Sequence, residues 1–134
     1  MKKVEHIGIA VKNLAESNQL FESLFGKGAY KKETVEVESV STSFYQLGDT
    51  KIELLEATDP DSAISKFIDA RGEGIHHIAF EVEDIISEMK RLKEEGFILL
   101  RDEPFKGADN KLVCFLHPKS VNHILVELCQ EIKE

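Results

Sequence analysis

The sequence predicts an α+β fold in which a β-α-β-β-β module occurs twice in tandem and forms a curved sheet around a shared concavity. The main observation is an internal repeat, because HIGIAVKNLAES at 6–17 aligns with HIAFEVEDIISE at 77–88, an offset of 71 residues. A second pair, KIELLE at 51–56 and LVELCQ at 125–130, aligns with an offset of 74 residues. Neither module alone covers its own sheet face, so the two are expected to share one core.

The first module is predicted to contain four strands and one helix. Alternating or β-rich runs predict strands at 4–11, 34–38, 40–47 and 50–56. A helix is predicted over 14–25, followed by Gly26, because apolar residues recur there at helical spacing. The apolar stripe consists of Leu14, Leu20, Phe21, Leu24 and Phe25. The segment LGDT at 47–50 predicts a tight turn, since Gly and Asp tolerate hairpin geometry.

The second module repeats this order after Gly74. Its predicted elements are a helix at 84–95 and strands at 76–82, 97–101, 111–116 and 123–129. Residues 60–74 between the modules predict a short helix and a glycine linker. We therefore expect a single domain over 1–134, with module one at about 1–58, a linker helix at about 60–74 and module two at about 75–134.

Composition excludes several classes of protein. The 134 residues carry 25 acids and 17 bases, a net charge of −8, which argues against a nucleic-acid partner. No run approaches the length of about 20 apolar residues that a membrane span requires, and the N-terminus resembles a strand rather than a signal peptide. Cys114 and Cys129 lie in apolar runs and are predicted to be reduced core residues. We expect a cytoplasmic protein without membrane partners.

Each module places one histidine and one glutamate where they can serve a common site. Side chains alternate along a strand, so His6 and His77 share their faces with small residues that leave room for an imidazole. Glu53 and Glu127 point away from the aliphatic faces of their strands. The four side chains are therefore expected to converge in the concavity.

Two imidazoles and two carboxylates suit a divalent ion of borderline hardness, such as manganese, cobalt, nickel, zinc or iron. Taken singly, each of the four residues is more often a surface group or a satisfied core group. What favours a metal site is that the repeat supplies the same pair twice. His76 competes with His77, but parity places it on the opposite face, and His117 and His123 lie near predicted turns.

Several segments together resemble the methylmalonyl-CoA epimerases of the vicinal oxygen chelate superfamily, which also contains glyoxalases, bleomycin resistance proteins and dioxygenases. The segments are HIGIAVKNLAESNQLFESLFG, LGDTKIELLEATDPDSAISKFI, GEGIHHIAFEV and FLHPKS followed by ILVEL. The resemblance implies the vicinal oxygen chelate fold, a homodimer and one divalent metal per chain, with Co, Mn, Ni and Zn as candidates. Its ligand positions correspond to His6, Glu53, His77 and Glu127, and many of these epimerases carry Gln at the position of Glu53.

The resemblance also implies an activity, the epimerisation of (2R)- and (2S)-methylmalonyl-CoA in propionate metabolism. A proton is abstracted from C2 through a metal-stabilised enolate, with Glu127 as the candidate base. Either Glu53 or a water on the metal would deliver the proton on the other face. Lys119 and Ser120 of HPKS are candidates for binding the acyl-CoA substrate through its carboxylate or phosphates, although an exposed turn explains this motif equally well.

Three alternatives stay open at this point. A glyoxalase I would use the same four ligands on a glutathione hemithioacetal, and a non-catalytic protein of this fold would bind a small molecule. A dioxygenase fits less well, because it needs a three-ligand iron site. The chain also departs from the family with GADNK at 107–111, VNH at 121–123 and SVSTSFYQ at 39–46. The last stretch lacks the second acid that some relatives use, and neither Glu36 nor Glu38 is assigned to that role.

Overall fold

The computed structural model describes residues 1–133, which form two compact units. One unit contains residues 6–76, and the other contains residues 1–5 together with residues 77–133. The helices and strands, in chain order, are β1 (Lys3–Ala10), α1 (Leu14–Phe25), β2 (Lys31–Val35), β3 (Val40–Leu47), β4 (Thr50–Ala57), α2 (Ala63–Arg71), β5 (Gly74–Glu81), α3 (Ile85–Glu94), β6 (Phe105–Lys106), β7 (Lys111–Leu116) and β8 (Val126–Glu131).

The unit of residues 6–76 is a four-stranded sheet covered by helices. Its strand order is β2-β3-β4-β1, with β1 parallel to β4 and the other neighbours antiparallel. Helix α1 covers the face that carries Tyr45 and Leu54, both fully buried, and it contributes Phe21 and Phe25 to this core. Between β3 and β4, Gly48 takes a left-handed conformation at φ 59°, which the predicted turn requires.

The other unit has the equivalent order β5-β8-β7-β6, with β5 parallel to β8. Helix α3 is amphipathic and buries Ile85, Met89 and Leu92 against apolar residues of β7 and β8. The chain start joins this unit, since the Lys2 amide donates to the Glu81 carbonyl oxygen at 2.8 Å. None of the helices within residues 1–133 combines the length and the apolar character needed to cross a membrane.

The two units share strand register as well as strand order. In the parallel pair β1–β4, Gly8 lies opposite Glu53, and in β5–β8, Ala79 lies opposite Glu127. These pairs are related by the offsets of 71 and 74 residues seen in the sequence. The predicted β-α-β-β-β repeat is therefore confirmed at the level of individual residue pairs.

Both units start their helices in the same way. The first amide of α1, at Leu14, donates to the carboxylate of Glu56 at the end of β4. The first amide of α3, at Ile85, donates to the side-chain oxygen of Gln130 on β8 at 2.7 Å. A helix leaves its first amides without intrahelical partners, so a polar side chain on the last strand satisfies one of them. This bond ties each helix to the strand that carries the conserved module's glutamate.

Three predictions for the elements are wrong. Residues 36–38 form a 3-10 turn instead of continuing a strand, and Ser39 follows it at φ 53°. Residues 97–101 do not form a strand, because only Leu99 makes an isolated bridge, to Leu116. On α1, Leu20 and Leu24 are 66% and 68% exposed, so they do not belong to the buried stripe.

Both cysteines are free and fully buried, as predicted. Burial, together with the charge of Glu127, raises the pKa of the Cys114 thiol to about 11. Burial also raises the pKa of Cys129. Neither thiol is therefore ionised near neutral pH in the folded protein.

We expect both thiols to react with Ellman's reagent at pH 8 at least about a hundredfold more slowly in the native protein than in denaturant, because the thiolate is the reacting species. Absorbance at 412 nm measures the rate. The denatured sample should release two equivalents, one for each cysteine. A fast native reaction of either thiol would contradict the buried, protonated state.

Candidate metal centre and active site

The first predicted pair, His6 and Glu53, lies together in the unit of residues 6–76. Strand β1 presents His6 and then Gly8 on one face, and β4 presents Glu53 directly opposite Gly8. The absent side chain of Gly8 leaves room for the carboxylate, while Phe44 of β3 flanks it on the other side. His6 Nε2 lies 3.1 Å from Glu53 Oε2, and both side chains are buried.

The second pair, His77 and Glu127, repeats this arrangement in the other unit. Glu127 of β8 lies opposite Ala79 of β5 and Phe115 of β7. His77 Nε2 lies 3.4 Å from Glu127 Oε1, again with both side chains buried. The Phe115 ring meets the His77 ring edge-on, with centroids 5.9 Å apart and an interplanar angle of 88°. This contact restricts the imidazole to one orientation.

The donor distances fit metal ligands. Two donors at about 2.1 Å from one cation are about 3.0 Å apart at a right angle and about 3.4 Å apart at the tetrahedral angle. The observed separations of 3.1 Å and 3.4 Å lie in this range. A buried carboxylate also needs compensation by a cation or by hydrogen bonds, because desolvation of the charge is costly. Each unit therefore offers one imidazole and one carboxylate suited to a divalent ion.

His76, the neighbour of His77, has a different environment. Its ring packs edge-on against Phe67 of α2, with centroids 5.0 Å apart. Burial lowers the pKa of His76 to about 4, so this imidazole is neutral at physiological pH. The parity argument for preferring His77 agrees with this packing.

The HPKS turn is built by its own hydrogen bonds. The Ser120 hydroxyl donates to the His117 carbonyl oxygen at 2.8 Å and accepts from the Ile98 amide at 3.3 Å. The Lys119 amide donates to His117 Nδ1 at 3.1 Å, and the Lys119 side chain is exposed. Ser120 thus stabilises the turn after β7, whereas the Lys119 ammonium is accessible to a ligand.

One buried charged residue was missed by the sequence analysis. Lys111, the first residue of β7, is only 7% exposed, and it is the one buried lysine or arginine within residues 1–133. Strand alternation places it on the same face of β7 as Val113 and Phe115. The signal in the sequence was therefore its parity with Phe115, but a lysine at a strand end is usually a surface residue.

Comparison with known proteins supports the resemblance. Residues 5–115 match the profile of the Glyoxalase/Bleomycin resistance protein/Dioxygenase superfamily. The mitochondrial methylmalonyl-CoA epimerase of Dictyostelium discoideum is 41% identical, over 94% of this chain and 76% of that protein. The ethylmalonyl-CoA/methylmalonyl-CoA epimerase of Cereibacter sphaeroides is 39% identical, over 96% and 97% of the two chains. The uncharacterised protein YqjC of Bacillus subtilis is 35% identical over 97% and 93%.

Solved structures agree with these relatives. A hypothetical protein from Bacillus halodurans superposes with a TM-score of 0.94 at 38% identity, over 98% of this chain and 96% of that one. A variant of Streptomyces coelicolor methylmalonyl-CoA epimerase, in complex with 2-nitronate-propionyl-CoA, also has a TM-score of 0.94, at 31% identity over 98% and 95%. The predicted fold class, the resemblance to the epimerases and the prediction of an enzyme are confirmed. The chain belongs to the Glyoxalase/Bleomycin resistance protein/Dioxygenase superfamily and has the vicinal oxygen chelate fold.

Proposed function

We propose that the protein interconverts the two epimers of 2-methylmalonyl-CoA by removing and returning the proton at C2. The observation that carries this proposal is the buried imidazole–carboxylate pair that occurs once in each unit, with donor separations of 3.1 Å and 3.4 Å. Relatives that carry the epimerase name cover nearly the whole chain. A methylmalonyl-CoA epimerase in complex with methylmalonyl-CoA and NH4+ has a TM-score of 0.94 at 31% identity.

We further propose that His6, Glu53, His77 and Glu127 are the ligands of one divalent metal ion, with Co, Mn, Ni and Zn as candidates. The support is the chemistry of the donors, because two imidazoles and two buried carboxylates carry the charge and the atom types that such an ion requires. When bound, the ion supplies Lewis acidity that stabilises the negative charge of the enolate.

Glu127 is the proposed base for one face of C2. Burial removes water from the carboxylate, so a substrate proton meets an acceptor that competing water does not block. The Glu127 backbone is fixed by parallel pairing with β5 and antiparallel pairing with β7. The rigid strand therefore holds the carboxylate in place while C2 loses its proton.

Glu53 is the proposed carrier of the proton on the other face. Strand β3 next to it contains no acid, and the positions of β3 that share a face with Glu53 include Thr42 and Phe44. Glu36 is exposed in the 3-10 turn before β3, so it is not a good substitute for an acid on that strand. Because Glu53 is buried beside His6, it is the acid of its unit best suited to this role.

Two further parts of the proposal concern the substrate and the assembly. The exposed Lys119 side chain is a candidate for binding the CoA phosphates, and Ser120 holds the turn that presents it. A homodimer, a single-domain organisation over 1–134 and a cytoplasmic location remain predictions.

The proton-transfer roles predict different isotope patterns for two variants. In heavy water, the metal-loaded protein should place deuterium at C2 of both epimers. Glu53→Gln should still exchange one epimer and lose epimerisation, because Glu127 acts on one face alone. Glu127→Gln should lower exchange of that epimer by about a thousandfold, the usual scale for loss of a general base. Mass spectrometry combined with separation of the epimers provides the measurement.

The control for this experiment is Glu94→Gln, which removes an exposed carboxylate on α3. It should exchange like the parent protein. Exchange by the parent no faster than the uncatalysed background would refute the proposed function, and the sample would then be assayed with a glutathione hemithioacetal. Equal loss of exchange in both epimers for each variant would refute the division of roles.

The ligand assignment predicts which histidines matter for metal binding. His77→Gln and His6→Gln should each lower the affinity for Co²⁺ by at least about tenfold, since they remove a donor. His76→Gln should not, because that ring packs against Phe67. Equilibrium dialysis with metal analysis gives the affinities. Loss in His76→Gln, or in only one of the other two variants, would argue against one site with four ligands.

A further inference from the structure

Lys111 occupies an unusual place for a lysine. It begins β7, is 7% exposed, and lies opposite Glu131 on β8. Within residues 1–133 its ammonium has no ion pair and no hydrogen bond, not even with Glu131. A buried ammonium without such partners loses hydration with little return. This chain therefore keeps a cation inside the unit where an apolar residue would cost less.

The face around Lys111 leads towards Glu127. Moving along β7 and β8 from Lys111, the same face carries Val113 beside Cys129, and then Phe115 beside Glu127. Val113 and Cys129 pack with Ala79 into a small apolar cluster that also contacts Phe105. The charge of Lys111 acts on the Cys129 thiol, where it lowers the pKa against the larger effects of burial and of Glu127. The ammonium and the proposed base thus lie on one face, with an apolar step between them.

The spacing suits a short dicarboxylic acyl group. Lys111 and Phe115 are four residues apart, about 13 Å along a strand that rises about 3.3 Å per residue. The long flexible stem of lysine allows the ammonium to cover part of this distance. The remainder matches a path from a carboxylate base through C2 to a carboxylate on the same carbon, which ends in a charge-assisted hydrogen bond of about 2.8 Å.

We propose that Lys111 binds the free carboxylate of the acyl group and so selects malonyl-type thioesters over monocarboxylic ones. This inference rests on the proposed function and identifies the residue that determines its substrate class. An ammonium held in an apolar surrounding is a strong partner for a carboxylate, because water does not compete. Propionyl-CoA has the same CoA phosphates but no carboxylate, and it would leave the buried charge without a partner.

The test compares the binding of two thioesters to metal-loaded Lys111→Met. Titration calorimetry should show methylmalonyl-CoA binding about 10- to 100-fold more weakly than to the parent, the range for a hydrogen bond between charged groups. Propionyl-CoA should bind the variant within about twofold of the parent, or more tightly, since its complex no longer contains an unpaired ammonium. Lys106→Met, an exposed lysine on the opposite face of the neighbouring strand β6, is the control and should leave both affinities unchanged.

Two results would overturn the assignment. An equal loss for both thioesters would mean that Lys111 contacts the CoA phosphates or only compensates the buried acids Glu5 and Glu127. Unchanged affinity for methylmalonyl-CoA would mean that it touches no substrate. If Lys111→Met does not fold, as judged by circular dichroism, Lys111→Gln removes the charge while keeping polarity and gives the same comparison. Deuterium exchange by the parent protein tests the proposed function separately, so the two proposals can fail independently.

Discussion

The burial of one carboxylate in each unit is the constraint on which the rest of the structure depends. Glu53 and Glu127 are 4% and 5% exposed, and a buried carboxylate without compensation would destabilise the fold by several kcal/mol. The sheet therefore places an imidazole beside each of them and a small residue, Gly8 or Ala79, directly opposite. Exchange of these small residues for larger ones would fill the space that the carboxylate needs.

The register of the parallel strands maintains this arrangement. A shift of one residue in β4 or β8 would turn the glutamate to the helix-covered face and expose its aliphatic neighbours. The side chains at the ends of these strands oppose such a shift. Glu56 and Gln130 bind the first amides of α1 and α3, so each glutamate-bearing strand is fixed to a helix three residues after its glutamate. Packing, helix initiation and the site thus depend on the same short segments.

Much of the fold could be predicted because these segments occur twice. The bounds of α1 and the register of the repeat follow from apolar spacing and from the two offsets. Leu20 and Leu24 were misplaced because, at about 100° per residue, they lie about a quarter-turn or more away from Phe21 and Phe25. Here the composition of the segment was a weaker guide than the angle.

The strand predicted at 97–101 shows a different limit. Residues 97–101 are apolar enough for a strand, but the outer edge of β7 is divided between Leu99 at one end and Phe105–Lys106 at the other. Strand propensity does not decide which of two segments pairs with an edge, because pairing depends on the partner. Lys111 was missed for a related reason, since its burial depends on neighbours that local sequence does not specify.

The departures from the family's glycines have a local explanation. Asp109 and Asn110 of GADNK, and Asn122 and His123 of VNH, all have positive φ angles, between 50° and 66°. Glycine takes this conformation most easily, and Asn and Asp are the side chains that tolerate it best. Three of the four substitutions therefore preserve the turns, while His123 bears the larger steric cost in an exposed loop.

The duplicated module suits the chemistry proposed for it. Epimerisation needs an acid or base on each face of a planar intermediate, and a single carboxylate serves only one face. Gene duplication of a module that already carries a buried imidazole–carboxylate pair supplies a second carboxylate with the same support from its strand and helix. Differences between the copies then separate the roles. The unit with Glu127 adds the edge-on Phe115 and the buried Lys111, whereas the unit with Glu53 contributes no acid on β3. Substrate selection on this view belongs to the second copy, and the first copy completes the proton transfer.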